Sequence, residues 1–213
     1  MKDASGRLGY WLIAFIGIAL VLSSSGRAAP KPAPAQTLAN LQAAYNGESN
    51  AHNRYLVFAL KADQEGYGEI ASLFRAAARA EQIHLTKHAA VIRKMDAEPA
   101  ATIEVPLLKS TRENLEAAAN KGEAYERDTM YPDFIKQAEA DGYPDAVLTF
   151  DLARKAEAQH FQLFSHAVEN LENMRGKRHT YYVCTVCGYT TPEPVTDNCI
   201  SCSSPKEKYE AVD

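Results

Sequence analysis

The sequence has few cysteines and little clustering of charge. Its four cysteines all lie between residues 184 and 202, which excludes a disulfide network through the rest of the chain. No run of basic residues is present beyond residue 35 and the formal net charge is −4, so nucleic acid is not expected as a partner. Glycine and proline are not in excess, and the 46% hydrophobic content is enough for a buried core.

Long apolar runs are also scarce. The longest, residues 8–22, has 15 residues and lies between a basic start and a series of small residues. A helix that spans a membrane needs about 20 apolar residues. The pattern is typical of a secretory signal peptide, or of an N-terminal membrane anchor if it is not cleaved. We therefore predict that residues 1–35 are an export segment with a proline-rich spacer, and that the protein is exported to the periplasm.

A Glu-x-x-His motif occurs twice in matching surroundings. Glu81 and His84 form the first copy, and Glu157 and His160 form the second. In each copy both side chains lie on one face of a helix. Neighbouring pairs recur with the motif at offsets of 75 and 76 residues, namely Gly47-Glu48 with Gly122-Glu123, and Gly66-Tyr67 with Gly142-Tyr143. The sequence therefore predicts two copies of a helical hairpin, with one residue gained in the second.

The acidic and histidine residues of these motifs all lie at similar distances from their own turn. They are 15 to 19 positions from Gly66 or Gly142, which corresponds to roughly 22–29 Å along a helix. Two antiparallel hairpins packed together would bring five carboxylates and two imidazoles to one level of a bundle. The seven residues are Glu48, Glu81, His84, Glu123, Glu126, Glu157 and His160.

A cluster of this kind predicts a dinuclear metal site. Buried carboxylates without partners repel one another and cost several kcal/mol each, and bound cations neutralise them. A Glu from each of two helices plus Glu-x-x-His from each of the other two is the ligand set of ferritin-like di-iron and di-manganese proteins. Each carboxylate taken alone could equally be a solvated helix residue.

Helical periodicity predicts the rest of the bundle. Residues 97–109 lack it, and this segment is long enough to run back along the bundle, which would make the second and third helices parallel. Ser110 and Glu113 predict a capping box, and Pro132 predicts a kink in the third helix. The four predicted helices cover residues 37–65, 67–95, 110–140 and 143–174.

Residues 177–213 are predicted to form a separate metal-binding domain. Two Cys-x-x-Cys pairs are separated by 11 residues and flanked by short apolar stretches at residues 181–183 and 209–212. Four thiolates at this spacing can surround one metal ion tetrahedrally. From the residues alone, iron, zinc and disulfides all stay open. The four ligand candidates are Cys184, Cys187, Cys199 and Cys202.

Other residues can be assigned by their position relative to these motifs. Tyr55 and Tyr131 follow ligand candidates on the same helices, so they could hydrogen-bond to ligands or be ordinary core aromatics. His52 and His88 are predicted to lie beside the ligands or at the surface, and His166 and His179 are predicted to lie at the surface. Three arginines are predicted to form a solvated face of the second helix, namely Arg75, Arg79 and Arg93.

Across about residues 37–213 these motifs resemble those of the rubrerythrin family. The matching di-iron motifs are Gly47-Glu48-Ser49, Asn53-Arg54-Tyr55, Glu81-x-x-His84, Gly122-Glu123-x-x-Glu126, Met130-Tyr131-Pro132 and Glu157-x-x-His160. The cysteine pairs match its rubredoxin-like iron site, although the loop between them is slightly short and no proline follows Cys199. The resemblance implies an all-α ferritin-like four-helix bundle over residues 36–176 and a small rubredoxin-like metal-binding domain over residues 177–213.

The resemblance also implies a function. It suggests a peroxidase that reduces hydrogen peroxide to water at a bridged di-iron centre, with electrons relayed from an unidentified donor through the four-cysteine iron site, in a homodimer. In the family, one iron exchanges a histidine for a carboxylate on oxidation, and the matching positions are His84 and Glu126. Tyr55 and Tyr131 would act beside them. Contact with a membrane is expected only if the N-terminal segment is uncleaved.

Two other functions remain open at this stage. The same bundle could serve an oxygen-dependent ferroxidase or iron-handling protein, or it could be structural in an electron carrier. The cysteine site favours the peroxidase over the ferroxidase because iron storage needs no relay. A site of open acidic ligands disfavours the electron carrier.

Overall fold

The computed structural model describes residue 1 and residues 34–213, so almost all of the predicted export segment lies outside the described residues. Within residues 34–213 the chain forms a mostly helical bundle followed by a small sheet. Its α-helices are α1 (Ala35–Gln64), α2 (Gly68–Lys94), α3 (Thr111–Ala117), α4 (Tyr131–Ala140) and α5 (Pro144–Glu169). Among the helices of the described part, none is both long and apolar enough to cross a membrane.

Two glycine turns build the predicted hairpins. Gly66 has φ +84° between α1 and α2, and Gly142 has φ +68° between α4 and α5. This left-handed backbone suits glycine, which has no Cβ to clash with the preceding carbonyl. The ends of α1 and α2 agree with the prediction to within two residues. On α1 the buried stripe passes through Glu48, so the face that builds the core also carries a ligand candidate.

The third predicted helix, residues 110–140, is helical throughout residues 111–140 but is not a regular α-helix. After α3 the backbone widens into two π-helical segments, Ala118–Glu123 and Glu126–Met130, before α4 begins. Pro132 lies in the first turn of α4, directly after the second π-helical segment. The departure from a regular α-helix therefore lies before Pro132, within residues 118–130.

The second π-helical segment, Glu126–Met130, explains the change of offset between the repeats. Tyr55 follows Glu48 by seven residues, whereas Tyr131 follows Glu123 by eight. A π turn takes up one extra residue without turning the following side chains away from the core. Tyr55 and Tyr131 are accordingly both fully buried.

The segment between α2 and α3 is held along α1 by amide side chains. The Ala100 N–H donates to Gln42 Oε1 at 3.1 Å, and the Thr102 N–H donates to Asn46 Oδ1 at 2.8 Å. Asn50 Nδ2 donates to the Thr102 carbonyl at 2.9 Å. Because these amides lie one turn apart, the segment runs along α1.

The crossover delivers α3 in the predicted direction. The Thr111 N–H donates to Glu65 Oε2 at 2.8 Å, so α3 begins where α1 ends and α2 begins. Helices α2 and α3 are therefore parallel. Ser110 and Glu113 form the predicted capping box.

The predicted fourth helix, residues 143–174, is one turn too long, because α5 ends at Glu169 and a 3₁₀ turn follows over Leu171–Met174.

The C-terminal part has three strands, β1 (Tyr181–Cys184), β2 (Thr190–Thr191) and β3 (Tyr209–Val212), and a 3₁₀ turn over Lys206–Lys208 precedes β3. The strands form an antiparallel sheet of order β2-β1-β3.

Two arginines of α2 bind this sheet, so the prediction that they form a solvated face is wrong for them. Arg79 forms an ion pair with Glu210, and Arg75 Nε donates to the Asp213 carbonyl. Their partners are 131 and 138 residues away in sequence. Arg93 is exposed, as predicted. The two arginines therefore help to position the cysteine domain against the bundle.

Candidate metal centres

The bundle brings six of the seven predicted ligands into two overlapping clusters. In each cluster the donor atoms lie within 4.8 Å of one another, and all six side chains are at most 1% exposed. One cluster is Glu48, Glu81, His84 and Glu157, and the other is Glu81, Glu123, Glu157 and His160. Because Glu81 and Glu157 belong to both, they are placed to bridge two ions, whereas each of the other four faces one.

Buried oxygens without partners support bound metal. Among the described residues, Glu48 Oε2, Glu81 Oε1 and Glu123 Oε2 are buried and have no hydrogen-bond partner. A buried ionised oxygen is costly unless it is paired or binds a metal. Carboxylate oxygens and imidazole nitrogens are also suitable donors for divalent first-row metals. The residues therefore fit two metal ions.

Both histidines direct Nδ1 into the clusters. His84 Nδ1 lies 2.9 Å from Glu81 Oε2 and 3.0 Å from Glu157 Oε1. His160 Nδ1 lies 2.8 Å from Glu157 Oε2. Nδ1 is therefore the nitrogen available to an ion.

Without metal, ionisable side chains in and beside the clusters retain protons at neutral pH. Burial raises the pKa of Glu126 to about 8, and the neighbouring Glu123 and Glu157 act in the same direction. Burial alone would lower the pKa of His84, but Glu157 and Glu48 outweigh it and raise that pKa to about 9. Metal binding must displace such protons, so it is coupled to pH.

Glu126 belongs to neither cluster. It lies at the start of the second π-helical segment and is 7% exposed, whereas the other four carboxylates are fully buried. Glu123 and Glu157 are close enough to raise its pKa. The exchange of His84 for Glu126 stays a prediction, since Glu126 would have to move its side chain to become a ligand.

Each tyrosine binds a carboxylate of the opposite repeat. The Tyr55 hydroxyl donates to Glu123 Oε1 at 2.5 Å, and the Tyr131 hydroxyl donates to Glu48 Oε1. Burial raises the pKa of both phenols, so both stay protonated donors. They are thus hydrogen-bond partners of ligand candidates as well as core aromatics, and they tie the hairpins together at the site.

His88 completes a buried network whose partners the sequence did not reveal. Its Nε2 lies 3.0 Å from the Tyr131 hydroxyl, and its Nδ1 lies 3.1 Å from the Thr149 hydroxyl. Because Tyr131 donates its own proton to Glu48, we assign the hydrogen of the His88–Tyr131 bond to Nε2. Burial lowers the pKa of His88 to about 3, so the ring is neutral. Thr149 carries no motif, and its partner is 61 residues away.

The other three histidines lie away from the clusters. His52 Nδ1 is 2.7 Å from the Ala78 carbonyl, and His179 Nε2 is 2.8 Å from the Pro192 carbonyl. Both are half-buried, whereas His166 is exposed as predicted. His179 is therefore only partly at the surface, because one side of its ring packs against Tyr181.

The four cysteine sulfurs form a third candidate site. Sγ atoms of Cys184 and Cys202 are 3.7 Å apart, and those of Cys187 and Cys199 are 3.6 Å apart. Sulfurs about 2.3 Å from one tetrahedral ion are about 3.8 Å apart, whereas a disulfide bond is about 2.05 Å long. All four cysteines are free. The spacing fits a metal ion and not disulfides.

The cysteine site touches the bundle site through backbone carbonyls. His84 Nε2 lies 3.0 Å from the Cys187 carbonyl oxygen, and His160 Nε2 lies 3.2 Å from that of Gly188. Gly188 has φ +79°, and a Cβ there would overlap the His84 ring, so this close approach requires glycine. Carbonyl acceptors at Nε2 orient both rings and leave Nδ1 free for metal.

Known sequences match most of this chain. The family model described as Rubrerythrin matches residues 39–168. Nigerythrin from Nitratidesulfovibrio vulgaris is 36% identical, over 85% of this chain and 89% of its own. Rubrerythrin-2 from Clostridium acetobutylicum is 35% identical, over 83% of this chain and 97% of its own.

Solved structures are also similar to this chain. Nigerythrin in its fully reduced, all-ferrous state has a TM-score of 0.77 at 34% identity, covering 89% of this chain and 91% of that one. Bacterioferritin from Desulfovibrio desulfuricans has a TM-score of 0.62 at 20% identity, covering 68% and 89%, and shows the shared fold alone. The predicted ferritin-like fold is confirmed. Together with the donor clusters, these matches show that the chain belongs to the rubrerythrin family, with a di-iron site in its bundle and a rubredoxin-like iron site at its four cysteines.

Proposed function

We propose that the protein is a peroxidase that reduces hydrogen peroxide to water at the bundle site. The reaction is H₂O₂ + 2 e⁻ + 2 H⁺ → 2 H₂O, in which the O–O bond breaks. When bound, the irons of the bundle supply the two electrons, and the cysteine-bound iron replaces them one at a time. We also propose that an unidentified donor supplies these electrons and that the protein is a homodimer.

The link between the two metal sites is the observation that carries this proposal. Cys187 is a ligand candidate of one site and His84 of the other, and their hydrogen bond of 3.0 Å joins the two ligand shells directly. Iron storage has no use for such a link. A peroxidase needs it, because each turnover consumes two electrons that must be replaced.

The residues around the bundle site can prepare it for peroxide. Tyr55 and Tyr131 hold Glu123 and Glu48 in fixed orientations, which lowers the reorganisation needed at the ligands. Glu126 is the least buried carboxylate of the site and belongs to neither donor cluster. It is our candidate for delivering a proton to the oxygen that leaves.

Rapid mixing tests the choice of oxidant. Fully reduced, oxygen-free protein should be oxidised much faster by peroxide than by molecular oxygen, when followed by stopped-flow absorption. Equal rates, or faster oxidation by oxygen, would favour the oxygen-dependent ferroxidase instead.

A variant tests the choice of site. Glu81 bridges both clusters, so Glu81→Ala should abolish peroxide turnover while the visible spectrum of the cysteine-bound iron persists. Glu69→Ala, on the same helix but outside both clusters, is the control and should keep turnover. Turnover retained by Glu81→Ala would remove the bundle from the reaction.

A further inference from the structure

The two repeats of the bundle differ at one pair of buried positions. His88 on α2 and Thr149 on α5 are joined by a hydrogen bond of 3.1 Å. At the offset of 76 residues between the repeats, the equivalent positions are Phe164 and Leu73, which are apolar and at most 1% exposed. One half of the bundle core thus carries a polar pair where the other half carries two apolar side chains.

The two tyrosines of the metal site therefore have different neighbours. His88 Nε2 lies 3.0 Å from the Tyr131 hydroxyl. The Tyr55 ring instead contacts Phe164, with ring centroids 5.4 Å apart. Tyr131 donates to Glu48 Oε1, while Glu48 Oε2 has no hydrogen-bond partner among the described residues and is available to a metal ion. The polar chain therefore ends on a ligand candidate.

All hydrogen bonds of this chain point toward the ligand. Because Tyr131 donates its proton to Glu48, its oxygen accepts from His88 Nε2. His88 Nδ1 is then the acceptor of the Thr149 hydroxyl. Hydrogen bonds aligned in one direction polarise and strengthen one another. His88 Nε2 is 4.0 Å from Glu48 Oε1, which is too far for a direct hydrogen bond, so His88 acts through Tyr131.

We propose that His88 is a positioning residue that, through Tyr131, raises the reduction potential of the metal position formed by Glu48 and His84. A hydrogen bond donated to a carboxylate ligand withdraws charge from it, so an iron ion bound there is held more readily in its ferrous form. The inference rests on the di-iron site that the chain shares with its family and not on the choice of peroxide as oxidant.

The other tyrosine has a cation nearby. Arg54 lies beside Tyr55, and its charge is close enough to act on Glu123 and Glu126. A positive charge also favours the ferrous form, so the chain through His88 does not by itself decide which metal position has the higher potential. Its effect is measured between variants in which Arg54 is unchanged.

The direction of the chain is tested without redox chemistry. In full-length protein loaded with zinc, ¹⁵N NMR of the histidine side chains should show His88 protonated at Nε2 and unprotonated at Nδ1. Zinc has no redox chemistry, and its binding keeps the carboxylate ligands ionised. A proton on Nδ1 in place of Nε2 would overturn the proposal, because Nε2 would then accept from Tyr131 and Glu48 would lose its donor.

Redox titration followed by absorption tests the potential. His88→Phe, which copies the other repeat, should disfavour the ferrous bundle site by at least about threefold, or about 28 mV for a one-electron couple. His88→Gln should restore at least half of this shift, because its amide can donate to Tyr131. Thr149→Val should give a smaller shift in the same direction, because it removes the far end of the chain.

Phe164→Leu is the matched control, because it changes the packing beside Tyr55 and removes no hydrogen bond. It should leave the potential unchanged. No shift in His88→Phe, or an equal shift in Phe164→Leu, would contradict a role for the hydrogen-bond chain.

Mössbauer spectra of the fully ferrous protein locate the effect. His88→Phe should change the signal of one bundle iron and leave those of the other bundle iron and of the cysteine-bound iron as in the native protein. Equal changes in both bundle irons would mean that His88 supports the whole site, and the proposal would fail. Oxidation by peroxide is measured separately. Native protein that peroxide does not oxidise would refute the proposed function and leave the role of His88 standing.

Discussion

His88 shows how a single buried polar residue is accommodated beside the metal centre. It lies against Tyr131 and Phe150 in an otherwise apolar part of the core. Its two ring nitrogens are satisfied by Tyr131 and Thr149. A buried polar group is tolerable when it is fully hydrogen-bonded and costly when one partner is removed.

The bond between His88 and Thr149 predicts that substitutions of these two residues have non-additive effects on stability. His88→Leu should lower the free energy of unfolding of the metal-free protein by about 1–3 kcal/mol, because it leaves the Thr149 hydroxyl buried without a partner. Adding Thr149→Val should recover at least half of that loss, since both partners are then apolar. Urea denaturation of the two variants measures it. A double variant no more stable than His88→Leu would contradict the network.

Gly188 gives a second prediction at this scale, on electron transfer. Gly188→Ala places a Cβ against the His84 ring and should push Cys187 away from it. Both metal sites should still load, but electron transfer from the cysteine-bound iron to the bundle should slow by at least about tenfold. Flash reduction of the cysteine site followed by absorption measures the rate.

Gly176→Ala is the matched control for backbone strain. Gly176 has φ +72°, and a Cβ added there would meet no atom of a non-neighbouring residue within 4 Å, so alanine adds strain without a clash. It should leave the transfer rate unchanged. A similar slowing in both variants would mean that strain, and not the contact with His84, controls the rate.

At the scale of elements, the crossover between α2 and α3 depends on α1 side chains. Asn46 and Asn50 replace the strand partner that this extended segment lacks. The double change Asn46→Ala and Asn50→Ala should increase amide hydrogen exchange and proteolysis over residues 98–105. Asn120→Ala is the control, because the Asn120 side-chain amide donates to the Glu116 carbonyl, one helical turn before it. Unchanged protection in the double variant would contradict this attachment.

The elements also show what the sequence could predict. The bounds of α1 and α2 follow from helical periodicity and from Gly66, which are local signals. The two π-helical segments before α4 did not disturb the helical periodicity of the sequence. The offset of one residue between the repeats was the sign of the second segment. Arg79 was misassigned because its partner, Glu210, is set by the docking of a distant segment.

The candidate site was easier to predict than its surroundings. Glu-x-x-His spacing and distance from the turns locate the ligands, because helix geometry converts sequence position into height. The partners of His88 depend on packing between helices, which spacing does not encode. The bridge from Cys187 to His84 likewise depends on how the cysteine domain sits on the bundle.

At the scale of the whole molecule, the clustered carboxylates make stability depend on pH. In the metal-free protein the pKa of Glu126 is raised from 4.5 to about 8, and that of His84 from 6.5 to about 9. A raised pKa means that the folded state binds more protons, so its contribution is present below the unfolded value and is lost as pH rises through the folded one. Metal-free protein should therefore lose stability as pH rises toward 9, chiefly above about pH 6.5, because the lowered pKa of His88 acts in the opposite direction below its unfolded value of 6.5.

Metal should reverse this trend. Bound cations replace the protons, so metal affinity rises with pH and the loaded protein keeps its stability over the same range. Thermal melts of metal-free and loaded protein at several pH values compare the two. A metal-free protein that becomes more stable as pH rises would contradict the assignment of these protons.

We also propose that the chain is exported. Residues 1–35, almost all of which lie outside the described part, would direct the export. Expression of the full sequence with and without residues 1–35, followed by cell fractionation and mass measurement, tests export and cleavage. Protein that stays in the cytoplasm in both cases would contradict the proposal.

Peroxide titration of the fully reduced protein, under exclusion of oxygen, tests the central claim most directly. Spectra would follow the cysteine-bound iron and the bundle irons at each addition. The link through Cys187 and His84 predicts that all three irons become oxidised, with two electrons taken by each peroxide. A cysteine-bound iron that stays ferrous after the bundle irons are oxidised would contradict it.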